Sequence, residues 1–312
     1  MTVAILCSGQ GHQHSTMFSL TESSSEAGEL FAYCASLLGG ADPRELVKRG
    51  SIETLHSNRL GQILCTLQAL VTFETLKSCL PSQKIIAGYS VGEVAAWGVS
   101  GLFSTRKTME LVARRAEIMD AETSPGDGLL FIRGLSRGVI DALCARYRAA
   151  ISIINPGDAF IVGGRRPALE AIAEAARAAR AQRVAFVPVM VASHTNLLNK
   201  AAEDFHGVLL KTASCSPQDP GVRLISGIDG STVVDVETGL AKLARQVSQT
   251  VQWSECLRSC VEAGATSFLE FGPGKALSEM AISAYPDLPS RSVDEFSSIA
   301  GVKNWIASHQ SR

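Results

Sequence analysis

The chain has 312 residues, 46% of them hydrophobic and 19% charged, with a formal net charge of −1 and a pI of about 6.6. That length accommodates one large domain, or a large one plus a small one, with ample apolar material for a core. The balanced charge excludes the basic stripe of a nucleic-acid binder and the polybasic patch of a membrane-surface protein, and no uncharged apolar run is long enough to span a membrane.

The opening run Val3–Cys7 reads as a first strand rather than a signal peptide, and ends in the turn Ser8-Gly9-Gln10-Gly11. Ile63, Leu64, Leu67, Leu70 and Val71 recur at helical spacing over 62–79, and Pro81 breaks the pattern. Lys84–Ala87 reads as a buried strand, Gly88–Gly92 as a sharp turn, and a helix begins at Val91 or Gly92. Another helix covers 106–119. Strands alternating with helices imply a mostly parallel sheet. Residues 122–128 have the composition of a linker. After them come a strand at 129–133, a helix at 137–148, strands at 150–154 and 159–162 around a turn, an Ala-rich helix at 167–180 and a strand at 184–190. This β-α-β-β-α-β order is the ferredoxin-like pattern.

The expected fold class is therefore α/β. An α/β-hydrolase-like large domain with a parallel sheet, residues 1–124 and 190–312, is interrupted by a ferredoxin-like insert at 125–189, with the site in the cleft between them. The eight cysteines are scattered without a CxxC, which supports neither a zinc site nor a thioredoxin-like motif. Reduced, mostly buried thiols and a cytoplasmic location are expected.

The strongest local signal is Gly88-Tyr89-Ser90-Val91-Gly92 between a strand and a helix. Two glycines let the chain turn tightly while the serine is held out at the helix start, where free N–H groups stabilise an oxyanion. The same residues also suit an ordinary βα turn in which Ser90 caps the helix. A serine nucleophile needs a base. Of the six histidines, His194 follows a strand and is placed to reach the elbow, although a histidine bonded to backbone at a helix start fits as well. His12 and His14 lack the acidic or thiol partners of a metal site, and His56, His206 and His309 read as surface residues. Arg114 and Arg115 lie on an amphipathic helix, where only one should point inward. An arginine fork binds a carboxylate in two places, though paired arginines also mark a solvated face.

Six motifs, in order and at compatible spacing, resemble those of malonyl-CoA:acyl carrier protein transacylases over essentially the whole chain. Ser8-Gly9-Gln10-Gly11 resembles that family's GQG turn, and Gly88–Glu93 its GHSxGE elbow. Arg115 falls where the family keeps its substrate arginine. Ser193-His194 resembles its SH motif, Gln246 ahead of Val251-Gln252-Trp253 its RQ…VQW segment, and Phe271–Lys275 its GPGK turn. The resemblance implies that Ser90 attacks the thioester and becomes malonylated, that His194 takes its proton, and that the backbone carbonyl of Gln246 stands in for an Asp. It further implies an oxyanion hole from the N–H groups of Gln10 and Val91, a malonyl-carboxylate partner in Arg115 and a pocket-lining Gln62. No metal or bound cofactor is implied; the coenzyme A thioester and the prosthetic arm of an acyl carrier protein are substrates.

Two departures stand out: Tyr89 replaces the family's histidine and Ser8 its proline. With Ala95–Gly98 and Ser290–Phe296, they resemble the epsilon subunit of malonate decarboxylase, which charges the decarboxylase's carrier subunit. A fatty-acid-synthesis transacylase, a serine thioesterase with water as acceptor, and a non-catalytic assembly subunit are the alternative readings.

Overall fold

The computed structural model describes residues 2–212 and 219–309. The first part of the chain runs β1 (Thr2–Cys7), α1 (Gly28–Leu37), α2 (Pro43–Arg49), α3 (Ile52–Leu55), α4 (Asn58–Leu76), β2 (Lys84–Gly88), α5 (Gly92–Val99) and α6 (Thr105–Glu122). The insert follows as β3 (Asp127–Arg133), α7 (Arg137–Tyr147), β4 (Ala150–Asn155), β5 (Ala159–Arg165), α8 (Arg166–Ala178) and β6 (Arg183–Val187). The chain then completes the large domain with α9 (Asn199–Thr212), β7 (Val222–Ile225), α10 (Val236–Arg245), α11 (Trp253–Glu262), β8 (Ala265–Phe271), α12 (Ala276–Ala284), β9 (Ser290–Ser292) and α13 (Ile299–Ser308).

The large domain is built on a five-stranded sheet, in the order β7-β2-β1-β8-β9, with every neighbouring pair parallel. Helices cover both faces of such a sheet, so its central strand is an unbroken apolar run; Val3–Cys7 are all buried. The register sets Cys7 beside Gly88 on one side and beside Phe271 on the other. Three turns therefore leave the carboxyl edge of the sheet side by side: 8–11, 89–91 and 272–275. Ligands gather at that edge in open α/β sheets.

The insert is a four-stranded antiparallel sheet in the order β4-β5-β3-β6. One face, with Leu130, Ile132, Phe160 and Val162, packs on Ile140 of α7 and on Leu169 and Ile172 of α8. The alternate residues Leu129, Phe131 and Ile161 face the cleft. The insert is also stitched to the large domain through its edge strand. Ile153 forms a parallel bridge with Val251, whose N–H donates to Ser152 O at 2.9 Å while its carbonyl accepts from Ile154 N–H at 2.9 Å. Ser152 Oγ donates to Ser193 O at 2.8 Å.

Some expectations shift. The helix expected over 62–79 starts at Asn58, and its last turn, 77–79, is 3-10; Leu80 before Pro81 is extended, as pre-proline sterics require. The strand expected to reach 190 ends at Val187. His56 is not a surface residue: both ring nitrogens are buried, beside the backbone of Gln13. Cys7, Cys34, Cys65, Cys144, Cys256 and Cys260 are buried thiols, and Cys215 lies outside the described residues. Among the described residues no helix is long and apolar enough to cross a membrane, and no group of three or more His, Cys, Asp or Glu is placed to hold a metal ion.

Candidate active site

The elbow is set by steric exclusion. A Cβ on Gly88 would lie 2.1 Å from Gly92 O, and one on Gly92 would lie 2.1 Å from Cys7 O. Only hydrogen fits at either position, so the chain passes from β2 to α5 with Ser90 at φ 57°, a left-handed conformation that a serine adopts only when its surroundings impose it. Gly9 of the first turn presses on the same place: its Cβ would meet Tyr89 O at 2.8 Å. Gly92→Ala is expected to lower folding stability by ~3 kcal/mol or more, because all three atoms its Cβ would meet, Cys7 O, Cys7 C and Ser8 O, are backbone. A urea midpoint within error of the wild type would refute this packing argument.

His194 sits in the irregular segment between β6 and α9, also in the left-handed region (φ 62°), anchored by its N–H to Val247 O at 2.8 Å. Its Nε2 is 2.7 Å from Ser90 Oγ and its Nδ1 is 2.5 Å from Gln246 O. A carbonyl only accepts, so Nδ1 carries the hydrogen and Nε2 is left as the acceptor for the serine O–H. Burial, followed by the nearby Arg115 cation, pushes the imidazole down to about 3 against the opposing pull of the Gln246 carbonyl. The ring is therefore a neutral base near pH 7.

Gln246 ends α10 and is completely buried. Its Nε2 donates to Ser90 O at 2.9 Å and to Glu93 Oε2 at 2.8 Å, and its Oε1 accepts from Arg115 Nη2 at 3.2 Å. Arg115 projects inward from α6 and is 1% exposed, whereas Arg114 points outward to Glu117 at 3.0 Å. Arg115 Nη1 donates to Gln62 Oε1 at 2.6 Å, and its Nε is buried with no acceptor among the described residues. Burial lowers this guanidinium to about 10, with Glu93 holding it up, so it remains a cation. Both of its acceptors are neutral amides. Gln62 is aligned in turn by Asn58 Oδ1, which accepts from its Nε2 at 2.8 Å.

The first turn is clamped to the start of α4. Gln10 Nε2 donates to Asn58 O at 3.2 Å and Gln13 Nε2 to Leu55 O at 3.1 Å. No described hydrogen bond engages the backbone N–H of Gln10 or Val91. The two departures from the family pattern have their own partners. Ser8 Oγ donates to the buried Glu270 Oε1 at 2.7 Å. The Tyr89 ring stands edge-on to Trp253 with centroids 5.3 Å apart, and its hydroxyl faces Asn155.

A cavity of 410 Å³ between the two sheets is lined by Gln10, Ser90 and His194 from the large domain and by Leu129, Phe131 and Ile161 from the insert. Val91, Gln62, Arg115 and Gln246 are not among its lining residues; they form a buried layer joined to Ser90 and His194. Sequence reasoning placed all seven candidates in this neighbourhood but missed the Gln246 side chain, Glu93 and Asn58. Glu93 was visible inside the elbow motif, and its burial on the first turn of α5 was not.

The pH dependence follows from His194. With its pKa far below 6.5, His194 is expected to contribute no acid limb to kcat/KM between pH 7 and about 5. Burial pushes Glu93 up to about 7, so an inflection there is attributable to Glu93 and is expected to vanish in Glu93→Gln. An acid limb near 6.5 that survives Glu93→Gln would show that His194 titrates as an ordinary histidine.

A family model described as "Acyl transferase domain" matches residues 5–310. The malonyl CoA-acyl carrier protein transacylase of Mycobacterium bovis is 27% identical over 296 residues, covering 93% of this chain and 96% of the relative. A crystal structure of the transacylase from Mycobacterium tuberculosis superposes with a TM-score of 0.88 at 26% identity, covering 98% of this chain and all of that one. The acyl-carrier-protein S-malonyltransferase of Burkholderia pseudomallei superposes at 0.89 with 24% identity and 98% of this chain covered, a likeness that bears on fold alone. A match over nearly all of the chain places this protein in the acyl transferase domain family.

Proposed function

We propose that the protein transfers malonyl from malonyl-CoA to the prosthetic-group thiol of an acyl carrier protein through a malonyl-Ser90 intermediate. The observation that carries this reading is the pairing of Arg115 with neutral partners only, beside the Ser90–His194–Gln246 relay. Two amide oxygens and one unengaged N–H leave a buried cation available for a carboxylate. A carboxylate replacing a neutral amide acceptor makes a charge-assisted, two-pronged contact about twice as strong as a neutral one. An acetyl group offers nothing in exchange.

Ser90 Oγ attacks the thioester carbon as its proton passes to His194 Nε2. The tetrahedral oxyanion rests on the N–H groups of Gln10 and Val91. Collapse breaks the carbon–sulfur bond, and His194 returns the proton to the departing coenzyme A sulfur. The carrier thiol then gives its proton to the same nitrogen, its sulfur attacks the malonyl ester, and Ser90 leaves with the proton.

The acceptor we favour is the carrier subunit of malonate decarboxylase. Ser8 and Tyr89, which line the cleft and depart from the family's usual residues, support it, with Ala95–Gly98 and Ser290–Phe296. The fatty-acid-synthesis transacylase is the second reading, and the relatives above, named for transfer to an acyl carrier protein, fit it equally well. The two are separated by comparing transfer rates to the two carriers.

Intact-protein mass spectrometry after mixing with malonyl-CoA tests the chemistry. A malonyl adduct is expected on the wild type, absent from Ser90→Ala and weak with acetyl-CoA, and a carrier thiol should discharge it. Discharge to free malonate without any thiol would favour the thioesterase reading. No adduct at all would favour the assembly-subunit reading.

A further inference from the structure

The wall that the insert turns to the cleft is graded in character. Rung by rung, β3 and β6 pair Leu129 with Val187, Phe131 with Ala185, and Arg133 with Arg183, and all six side chains line the cleft. The first rung abuts the reactive end. Gly163, opposite Leu129 on β5, lies so near Thr195 that a Cβ there would be 2.6 Å from its Cγ2, and Thr195 directly follows His194. The arginine rung is four residues further along, ~13 Å at the rise of an antiparallel strand. Two apolar rungs thus lead away from Ser90 and His194 to a cationic one.

Like charges directly opposite one another destabilise an antiparallel pair. Here no described carboxylate lies within ion-pair distance of either guanidinium. Arg183 stacks over the Phe131 ring, 5.6 Å from its centroid, and Arg133 extends over the 156–158 turn. Across the cleft, Glu279 is already engaged by Lys275 at 3.0 Å. An anion bridging both forks would remove the repulsion.

We propose that Arg133 and Arg183 together bind the diphosphate of the acyl-CoA substrate. The pantetheine arm then lies over Phe131 and Leu129, which delivers the thioester to Ser90. The extended arm, with its two amides and a dimethyl-substituted carbon, is long enough to cross both rungs. Planar guanidinium forks match phosphate oxygens in pairs. This inference rests on the malonyl-CoA reading of the same cleft.

Arg133→Gln, Arg183→Gln and the double variant are to be compared with malonyl-CoA and with malonyl-N-acetylcysteamine, which carries the thioester but no phosphate. The ratio of the two kcat/KM values is expected to shift against malonyl-CoA by about tenfold per arginine, and on the order of a hundredfold for both. Inorganic diphosphate is expected to compete with malonyl-CoA on the wild-type protein, a measurement that needs no variant to fold. An unchanged ratio, or no competition by diphosphate, overturns the assignment. Slowing confined to the carrier-transfer step also overturns it and assigns the rung to an acidic protein surface. Failure of the malonyl-transfer reading is distinguishable, because it would leave Ser90 without an adduct from either thioester, or discharge the adduct to free malonate without any thiol.

Discussion

Arg115→Ala is expected to lower kcat/KM for malonyl-CoA by about 10²–10³ while changing that for acetyl-CoA far less, so that preference between the two collapses. The size follows from truncating one partner of a buried, hydrogen-bonded charge pair, which removes the new contact and leaves the substrate carboxylate unpaired in a desolvated site. The substitution also strands the amides of Gln62 and Gln246, which now share their oxygens with Arg115. For that reason the ratio of the two substrates is the readout rather than either rate alone. A second consequence separates electrostatics from packing. Arg115 helps hold His194 below its ordinary pKa, so its removal should move the acid limb of kcat/KM upward. Arg115→Lys keeps the charge without the fork, and should preserve the pH profile while losing much of the malonyl preference. A malonyl-to-acetyl ratio equal to the wild type in Arg115→Ala would assign selection to another group.

His194→Ala is expected to reduce turnover by about 10⁴–10⁶, comparable to Ser90→Ala, because a nucleophile and its base act as one unit. The third member behaves differently. His194 is oriented by the main-chain carbonyl of Gln246, which no side-chain substitution removes. Gln246→Ala should therefore fall well short of His194→Ala, with a loss of about 10–10² arising from the contacts to Ser90 O and Arg115. Equal losses in the two variants would mean that the carbonyl does not hold the imidazole independently of the side chain.

Much of this arrangement was legible in the chain because it is local. The elbow announces itself through two glycines four apart around a serine, and the structure supplies the reason in two backbone atoms that admit no Cβ. The strand–helix order of the insert was enough to expect its ferredoxin-like pattern, and the four-stranded antiparallel sheet has the order β4-β5-β3-β6. What stayed hidden depends on long-range approach. Nothing adjacent to Gln246 in sequence reveals that its amide meets Ser90, Glu93 and Arg115, which lie more than a hundred residues away. The inward turn of Arg115 rather than Arg114 follows the helical phase set by Leu111, Val112, Ile118 and Met119, all buried on the same face of α6. The left-handed backbone of His194 leaves no mark in its neighbours' identities; in the fold it goes with a hydrogen bond from its N–H to Val247 O.

The stitch between β4 and Val251 bears on how such a protein can be recombined. The insert enters the chain after α6, which carries Arg115, and leaves it just before His194. Its edge strand bonds to Ser193 and to the stretch that follows Gln246. The insert is thus a brace for the relay as well as a wall of the cleft. A chimaera that exchanges it with a relative's by cutting only at its two chain crossings would disturb the main-chain pairing with Val251 and the Ser152 contact to Ser193 together, next to the third and second members of the relay. Transplants that carry residues 246–253 along with the insert keep that pairing intact, and are the ones expected to retain turnover.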